Sequence, residues 1–420
     1  MNTNLTIKAD KFLINGKLTY SEIEGSNSNA HGLLMNARFI QGVFDDKQNP
    51  LRFARFGAKK WNAEQNTENL IEALSEWYNY GLRAFTVGFQ GGGPCFTADN
   101  YTIDNNPYSS DGLGIDSNYL RRMKKLILAA DSLGMIVIVS CFYCAQARFL
   151  ENDSAVMNAV KTTANWLRDN GFKNIIIEIA NEKDMSDFQI HPVIYTDSGM
   201  CSLLEIARRE SGGMPVGCSH AGGVFSEAVA AASDVILIHG NGITRQGYYN
   251  LIQKAKAIKP ARPIVCNEDS QAVSQIDVAF KTQTSWGYYN NVTKQEPPTN
   301  WKILQGEDSF FAYRMAMGIG IKTEPLEENE QFYLQGLEPE MTANNKRWVK
   351  LAALFPEKID YVDFYRNDEH IYTAYDDPFT VYFNSNWHQS GIENVEGGAV
   401  WRAVIKTVDE ETRTIEKQAN

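Results

Sequence analysis

Two segments of this sequence each end an apolar run in an asparagine followed by a glutamate. One is Asn174-Ile-Ile-Ile-Glu-Ile-Ala-Asn-Glu182 and the other is Pro263-Ile-Val-Cys-Asn-Glu268. Runs this short and apolar read as strands buried on both faces, as in a parallel sheet. An ionised carboxylate has no reason to stand at such a strand's tip unless it meets a cleft or a partner. Alternation along the first run puts Glu178 and Glu182 on one face. Two strand-end carboxylates are what the hydrolysis of a glycosidic bond needs. One must be held protonated to donate to the leaving oxygen, and the other must be ionised. For a single strand-end Glu, a salt bridge with a loop Lys or Arg is the competing explanation. It weakens for two that face each other.

The elements that must position this pair follow from an alternation of patterns. Residues 5–20 give two short strands around Asn15-Gly16, a hairpin signal. Strand-like runs then fall near 33–43, 82–89, 135–143, 174–181, 214–220, 234–239, 262–267 and 283–289. Helical periodicity falls between them near 66–80, 117–133, 154–170, 199–211, 223–232, 245–258 and 270–281, with a last helix near 307–319. Asp116 or Ser117 and Asp153 or Ser154 are N-cap signals, and Gly81, Gly134 and Gly171 are C-cap signals. Helix, glycine, strand, repeated, is the connection of a parallel α/β fold, and eight such units predict a (β/α)8 TIM barrel. A doubly wound sheet would need fewer strands and a Gly-x-Gly-x-x-Gly after the first. The Gly91-Gly-Gly-Pro94 stretch reads as a shaped loop, not a phosphate cradle. In a barrel the fourth and seventh strands, which carry Glu182 and Glu268, face each other across the mouth. The long loops at 44–63, 90–116, 144–152, 183–198 and 290–305 then lie on the catalytic face.

Past about residue 322 the pattern changes. A helix is expected over 343–354. Short strands follow at 360–365, 370–375, 379–383 and 398–404, a small antiparallel β-sandwich of immunoglobulin type. The expected domains are therefore 1–322, with an N-terminal hairpin in 1–25, and 323–420. The second is expected to carry no catalytic group.

Composition narrows the partners. The chain has 420 residues, 43% hydrophobic, with a formal net charge of −11. That balance speaks against nucleic acid or an anionic membrane surface, and suits a neutral substrate such as a carbohydrate. No apolar run reaches membrane-span length. Met1-Asn-Thr-Asn-Leu is not a signal peptide, so the compartment stays open. The protein is secreted or periplasmic if a signal was removed, and otherwise cytoplasmic. Cys141, Cys218 and Cys266 lie in strand-like runs and read as buried thiols. Cys141-Phe-Tyr-Cys144 has metal spacing without a second pair, and His191 stands in a loop without a second ligand. No metal and no cofactor are expected.

Glu178-Ile-Ala-Asn-Glu182 resembles the strand-four signature of clan A retaining glycoside hydrolases, and Pro263–Glu268 resembles their strand-seven segment. The resemblance covers roughly residues 30–320. It implies Glu182 as acid/base, Glu268 as nucleophile and Asn181 as a hydrogen-bond partner of the sugar 2-hydroxyl. Lys183 stands where the clan has proline, which leaves subfamily and substrate open. The C-terminal stretch is similar to immunoglobulin-like modules appended to such enzymes.

Other candidate site residues are His239 and Asn241 after strand six, Trp286 on strand eight, Gln90, and Arg38 on strand one. Core packing competes for Trp286, and an interior ion pair with Glu178 competes for Arg38. Trp61, Phe142, Tyr143 and Tyr288 are candidate stacking surfaces, and His220 ends strand five. Glu182 should carry the raised pKa and Glu268 should stay ionised. The expected function is retaining hydrolysis of an oligo- or polysaccharide. The alternatives are a non-catalytic carbohydrate-binding barrel protein, or a barrel enzyme of different chemistry.

Overall fold

The computed structural model describes residues 1–420 other than 54–60, 95, 298 and 396–397. Strands β1 (Leu5–Lys8), β2 (Lys11–Ile14) and β3 (Lys17–Leu18) form a three-stranded antiparallel sheet. Its second turn is Asn15-Gly16, with φ of 52° and 79°, the left-handed pair that a tight hairpin requires. Leu5 and Phe12 pack on Leu34, Ala84, Ile136 and Ile176, against the N-terminal ends of the parallel strands.

Strand and helix then alternate. In order they are β4 (Asn36–Arg38), α1 (Ala63–Asn79), β5 (Ala84–Gly88), α2 (Ser117–Leu133), β6 (Ile136–Phe142), α3 (Asp153–Asp169) and β7 (Ile175–Ala180). Next come α4 (Pro192–Tyr195), α5 (Asp197–Glu210), β8 (Val216–Gly217), α6 (Glu227–Ala232), β9 (Ile236–His239), α7 (Arg245–Ala257), β10 (Ile264–Glu268), α8 (Gln275–Thr282), β11 (Gly287–Tyr288) and α9 (Glu307–Ile319). Six strands pair in the order β11-β4-β5-β6-β7-β8, and β10 pairs with β9. Every one of these pairings is parallel. Backbone hydrogen bonds bridge the remaining seams. Asp234 and Val235 donate to the Val216 carbonyl, while Ser285 donates to Ile264 and Cys266 donates to Ser285.

The signals at the two ends of α2 act as expected. Asp116 caps α2, and Gly134 ends it in the left-handed conformation. The start of α3 is one residue earlier than predicted, because the Asn152 side chain accepts from the Ala155 N–H. Strands β4, β8 and β11 are shorter than the apolar runs that announced them.

The C-terminal part holds β12 (Phe332–Gln335), β13 (Thr342–Ala343), β14 (Lys346–Arg347), β15 (Lys350–Ala353), β16 (Ile359–Arg366), β17 (Glu369–Ala374), β18 (Phe383–Ser385), β19 (His388–Gln389), β20 (Ile392–Glu393), β21 (Val400–Thr407) and β22 (Thr412–Gln418). The largest sheet is antiparallel, β17-β16-β21-β22, over a core that includes Val362, Phe364, Trp401 and Ala403. The helix expected over 343–354 does not form. Asn344 and Asn345 turn the chain at φ of 51° and 58°, and β15 pairs with β12. The run Trp348-Val-Lys-Leu-Ala-Ala-Leu354 is short enough for either state, and the partner strand decides. Strand β22 escaped the sequence reading because it is half-polar at a sheet edge, with exposed and half-buried residues alternating.

The β part grips α9. Lys350 and Glu307, both 2% exposed, pair at 3.0 Å. Arg314 donates to the Leu354 carbonyl and pairs with Glu357 at 3.1 Å. Among the described residues no helix is long and apolar enough to cross a membrane.

Candidate active site

Every residue of β7 and of β10 is buried, as their sequences require. Polar residues stand at their C-terminal ends. Glu182 takes a left-handed backbone at φ 52°, which costs a non-glycine residue roughly 1–2 kcal/mol. Its N–H donates to Ser219 Oγ at 3.1 Å, and Ser219 Oγ donates to Glu178 Oε1 at 2.7 Å. Asn267 Nδ2 donates to the same Glu178 oxygen at 3.0 Å. Glu178 is thus an interior brace that ties β7 to the segment after β8 and to β10.

The pair itself is close. An oxygen of Glu182, an oxygen of Glu268 and a ring nitrogen of His239 all lie within 4.8 Å of one another. His239 Nδ1 is 3.0 Å from Glu182 Oε1 and 3.9 Å from Glu268 Oε2. Asn241 Nδ2 donates to Glu268 Oε1 at 3.0 Å. Arg38 Nε approaches Glu268 Oε2 at 2.6 Å, a charge contact without hydrogen-bond alignment. Arg38 therefore pairs with Glu268, not with Glu178. A Cβ on Gly92 would meet Arg38 Nη2 at 3.1 Å, so glycine there lets the loop after β5 close on the guanidinium without displacing it. The ring of Tyr289 lies 5.4 Å from the guanidinium carbon. Among the described residues, Asn181 Oδ1, Asn241 Oδ1 and His239 Nε2 are buried without hydrogen-bond partners. A buried polar atom without a partner calls for an explanation, and beside a carboxylate pair a bound ligand supplies one.

The protonation pattern reverses the expectation. Burial lifts Glu268 above the ordinary carboxylate range, and the charges of Arg38 and His239 do not cancel it. Burial acts on Glu182 too, but the His239 hydrogen bond and the charges of His239 and Arg38 bring it below that range. His239 is raised: burial opposes its charge, and Glu268 and Glu182 outweigh burial. His220 is pushed down to about 4 by burial and Lys183, so it stays neutral.

Several expected binding residues are used elsewhere. Trp286 is fully buried, its Nε1 donating to Asp269 Oδ2 at 2.6 Å. Tyr288 stacks on Phe311 at 4.5 Å and donates to Asp308. Trp61 packs with Phe44 and Phe53 and donates to Asp45. The Gln90 amide bridges Asn106 and the Tyr143 N–H. These four are committed to packing and loop bracing, and Phe142 is fully buried, its ring against Tyr108. Tyr143 is half-buried, within electrostatic reach of Arg38. Lys183 anchors its loop by donating to the Tyr195 carbonyl and to Asp197 Oδ1. His191 is held by the Ala147 carbonyl. Ser219 and Asn267 were missed. The repeated Asn-Glu dipeptide of the two strands was the signal for Asn267; nothing local marks Ser219.

The only grouping with metal-ligand spacing among the described residues is Glu182, His239 and Glu268. A cation there would face the Arg38 guanidinium and a histidine that favours its protonated form, so the set does not suit one.

No protein-family model matches the chain, and no curated protein matches it in sequence. Among solved structures it is similar to a β-glucuronidase from Parabacteroides merdae, with 13% identity and a TM-score of 0.45 over 99% of this chain and 50% of that one. It is similar to a putative β-galactosidase from Bacteroides fragilis, with 13% identity and a TM-score of 0.44 over 100% of this chain and 57% of that one. It is also similar to a β-mannanase from the blue mussel Mytilus edulis, with 11% identity and a TM-score of 0.46 over 75% of this chain and 97% of that one. The chain thus spans 50% and 57% of the first two.

Proposed function

We propose that the eight parallel strands close into a (β/α)8 barrel carrying a C-terminal β-sandwich, and that the chain hydrolyses a glycosidic bond with retention. The observation that carries this reading is the carboxylate pair at the ends of β7 and β10. One oxygen of Glu182 and one of Glu268 lie within 4.8 Å of each other, short of the inverting range of about 6.5–9.5 Å and compatible with the retaining separation of about 5–5.5 Å between carboxyl groups. Glu268 is the nucleophile. Arg38 and Asn241 engage one oxygen each, which orients the carboxylate and favours its ionised form once sugar is bound. Glu182 is the acid/base: it protonates the leaving oxygen, then takes a proton from the water that releases the sugar from Glu268. Asn181 Oδ1 and Asn241 Oδ1 are acceptors for sugar hydroxyls.

In the free site the protonation directions favour a proton on Glu268. Bound substrate redistributes it. A glycosidic oxygen beside Glu182 stabilises the acid there, and the electron-poor anomeric carbon beside Glu268 stabilises the anion. The protonation directions also favour a second reading with the two roles exchanged. Screening aryl glycosides and polysaccharides for turnover, with the anomer of the first product read by NMR, tests the reading. Retention with loss of turnover in Glu182→Gln and Glu268→Gln is expected. An inverted first product, or turnover that survives both substitutions, contradicts it.

A further inference from the structure

The β part was expected to carry no catalytic group, and its β18–β19 hairpin reaches the loop that carries Asn241. Ser385 pairs with His388, so Asn386 and Trp387 are the two residues of the turn. Asn386 docks it with both ends of its amide. Oδ1 accepts from the Gly242 N–H at 2.6 Å, and Nδ2 donates to the Ile243 carbonyl at 2.8 Å. Gly242 directly follows Asn241, which holds Glu268. Trp387 lies over Gly242: a Cβ there would meet its Cδ1 and Nε1 at 3.5 Å. Trp387 also borders a small void with Gln271, three residues beyond Glu268.

We infer that Trp387 is a stacking platform for a further sugar ring of an oligosaccharide whose bond is cleaved between Glu182 and Glu268. This rests on the hydrolytic reading of that site. The docking does not need the tryptophan, because Asn386 supplies both hydrogen bonds. Two-residue turns favour Asn, Asp and Gly, so a large aromatic here is unusual. Trp387 is half-buried. An indole left partly accessible suits a pyranose, whose C–H face stacks on an aromatic ring. The ring is braced from behind. Trp387 meets His388 at 5.0 Å, His388 meets Phe96 at 5.4 Å, and Phe96 meets Trp348 at 5.3 Å. Phe96 belongs to the loop after β5, so this ladder ties the β part to two loops at the strand ends.

The test uses the full-length chain, a panel of p-nitrophenyl monosaccharides, and the matching di- to tetrasaccharides. Trp387→Ala should lower kcat/KM on the best oligosaccharide roughly tenfold more than on the aryl monosaccharide, mainly through KM, and Trp387→Phe should recover most of the loss. Equal losses on both substrates would overturn the inference. Binding is read separately in Glu182→Gln labelled with 5-fluorotryptophan, with the Trp387 fluorine signal assigned through Trp387→Phe. That signal should move with the oligosaccharide, and a fixed signal overturns the platform. If no glycoside is turned over, the hydrolytic reading fails. The platform then stands only if one of the oligosaccharides shifts the Trp387 signal, and falls if none does.

Discussion

Glu182 and Glu268 hold similar places on their strands but have different neighbours, and their substitution should separate two roles. Glu268→Ala should lower turnover of every glycoside roughly 10⁴-fold or more, since no covalent intermediate can form. Glu182→Ala should still react with an activated aryl glycoside, stall at the glycosyl-enzyme, and be rescued by azide as the glycosyl azide. If Glu268→Ala is the variant that azide rescues with retention at the anomeric carbon, the roles are exchanged; an azide of inverted configuration from Glu268→Ala marks Glu268 as the nucleophile. A second residue-scale outcome concerns Asp269, which burial pushes up to about 7 despite the Trp286 and Ser270 hydrogen bonds. A raised carboxyl favours the fold while it is protonated. Its stabilising effect is lost as pH rises from the unfolded value of about 3.9 through 7. The melting temperature should therefore fall between pH 5 and 8, and Asp269→Asn should flatten that fall by a few degrees. Calorimetry at the two pH values measures it; equal slopes would refute the assignment. The carboxylate tips were legible because an apolar strand has no other use for them. Ser219 was not, because its partners Glu178 and Glu182 lie about forty positions away.

Among the elements, the loop after β5 places Arg38 through glycine. Gly92→Ala should press on the guanidinium at 3.1 Å and on Gln295 at 3.2 Å. Its expected cost is about tenfold in kcat/KM, through displacement of Glu268, with little change in melting temperature. Steady-state kinetics beside a thermal melt checks this; an unchanged kcat/KM would show that the loop yields. Helices between the parallel strands were read well, since period and caps such as Asp116 and Gly134 are local; the one expected over 343–354 gave way to a strand paired with β12. The short strands were not, because an apolar run does not say how much of it pairs. Trp286 and Tyr288 misled for a related reason: a strand-end aromatic faces a ligand or the core depending on the layer beneath, here Phe311.

For the whole molecule, α9 depends on the β part. Lys350→Met should cost about 3–5 kcal/mol by leaving Glu307 buried and unpaired, and Lys350→Met with Glu307→Leu should regain most of it. Denaturant unfolding of the three proteins decides; an additive double variant would contradict the coupling. A chain stopped at residue 322 should fail to melt cooperatively for the same reason. That dependence was invisible in the sequence, where residues 323–354 read as a connector with one helix. The hydrolytic reading turns on a covalent bond between Glu268 and sugar. The most direct measurement is trapping with the 2,4-dinitrophenyl 2-deoxy-2-fluoro glycoside of the preferred sugar, followed by peptide mass spectrometry. One sugar per chain, attached to Glu268, is the expected result; a label on Glu182, or turnover of the preferred glycoside with no label on any residue, would contradict it.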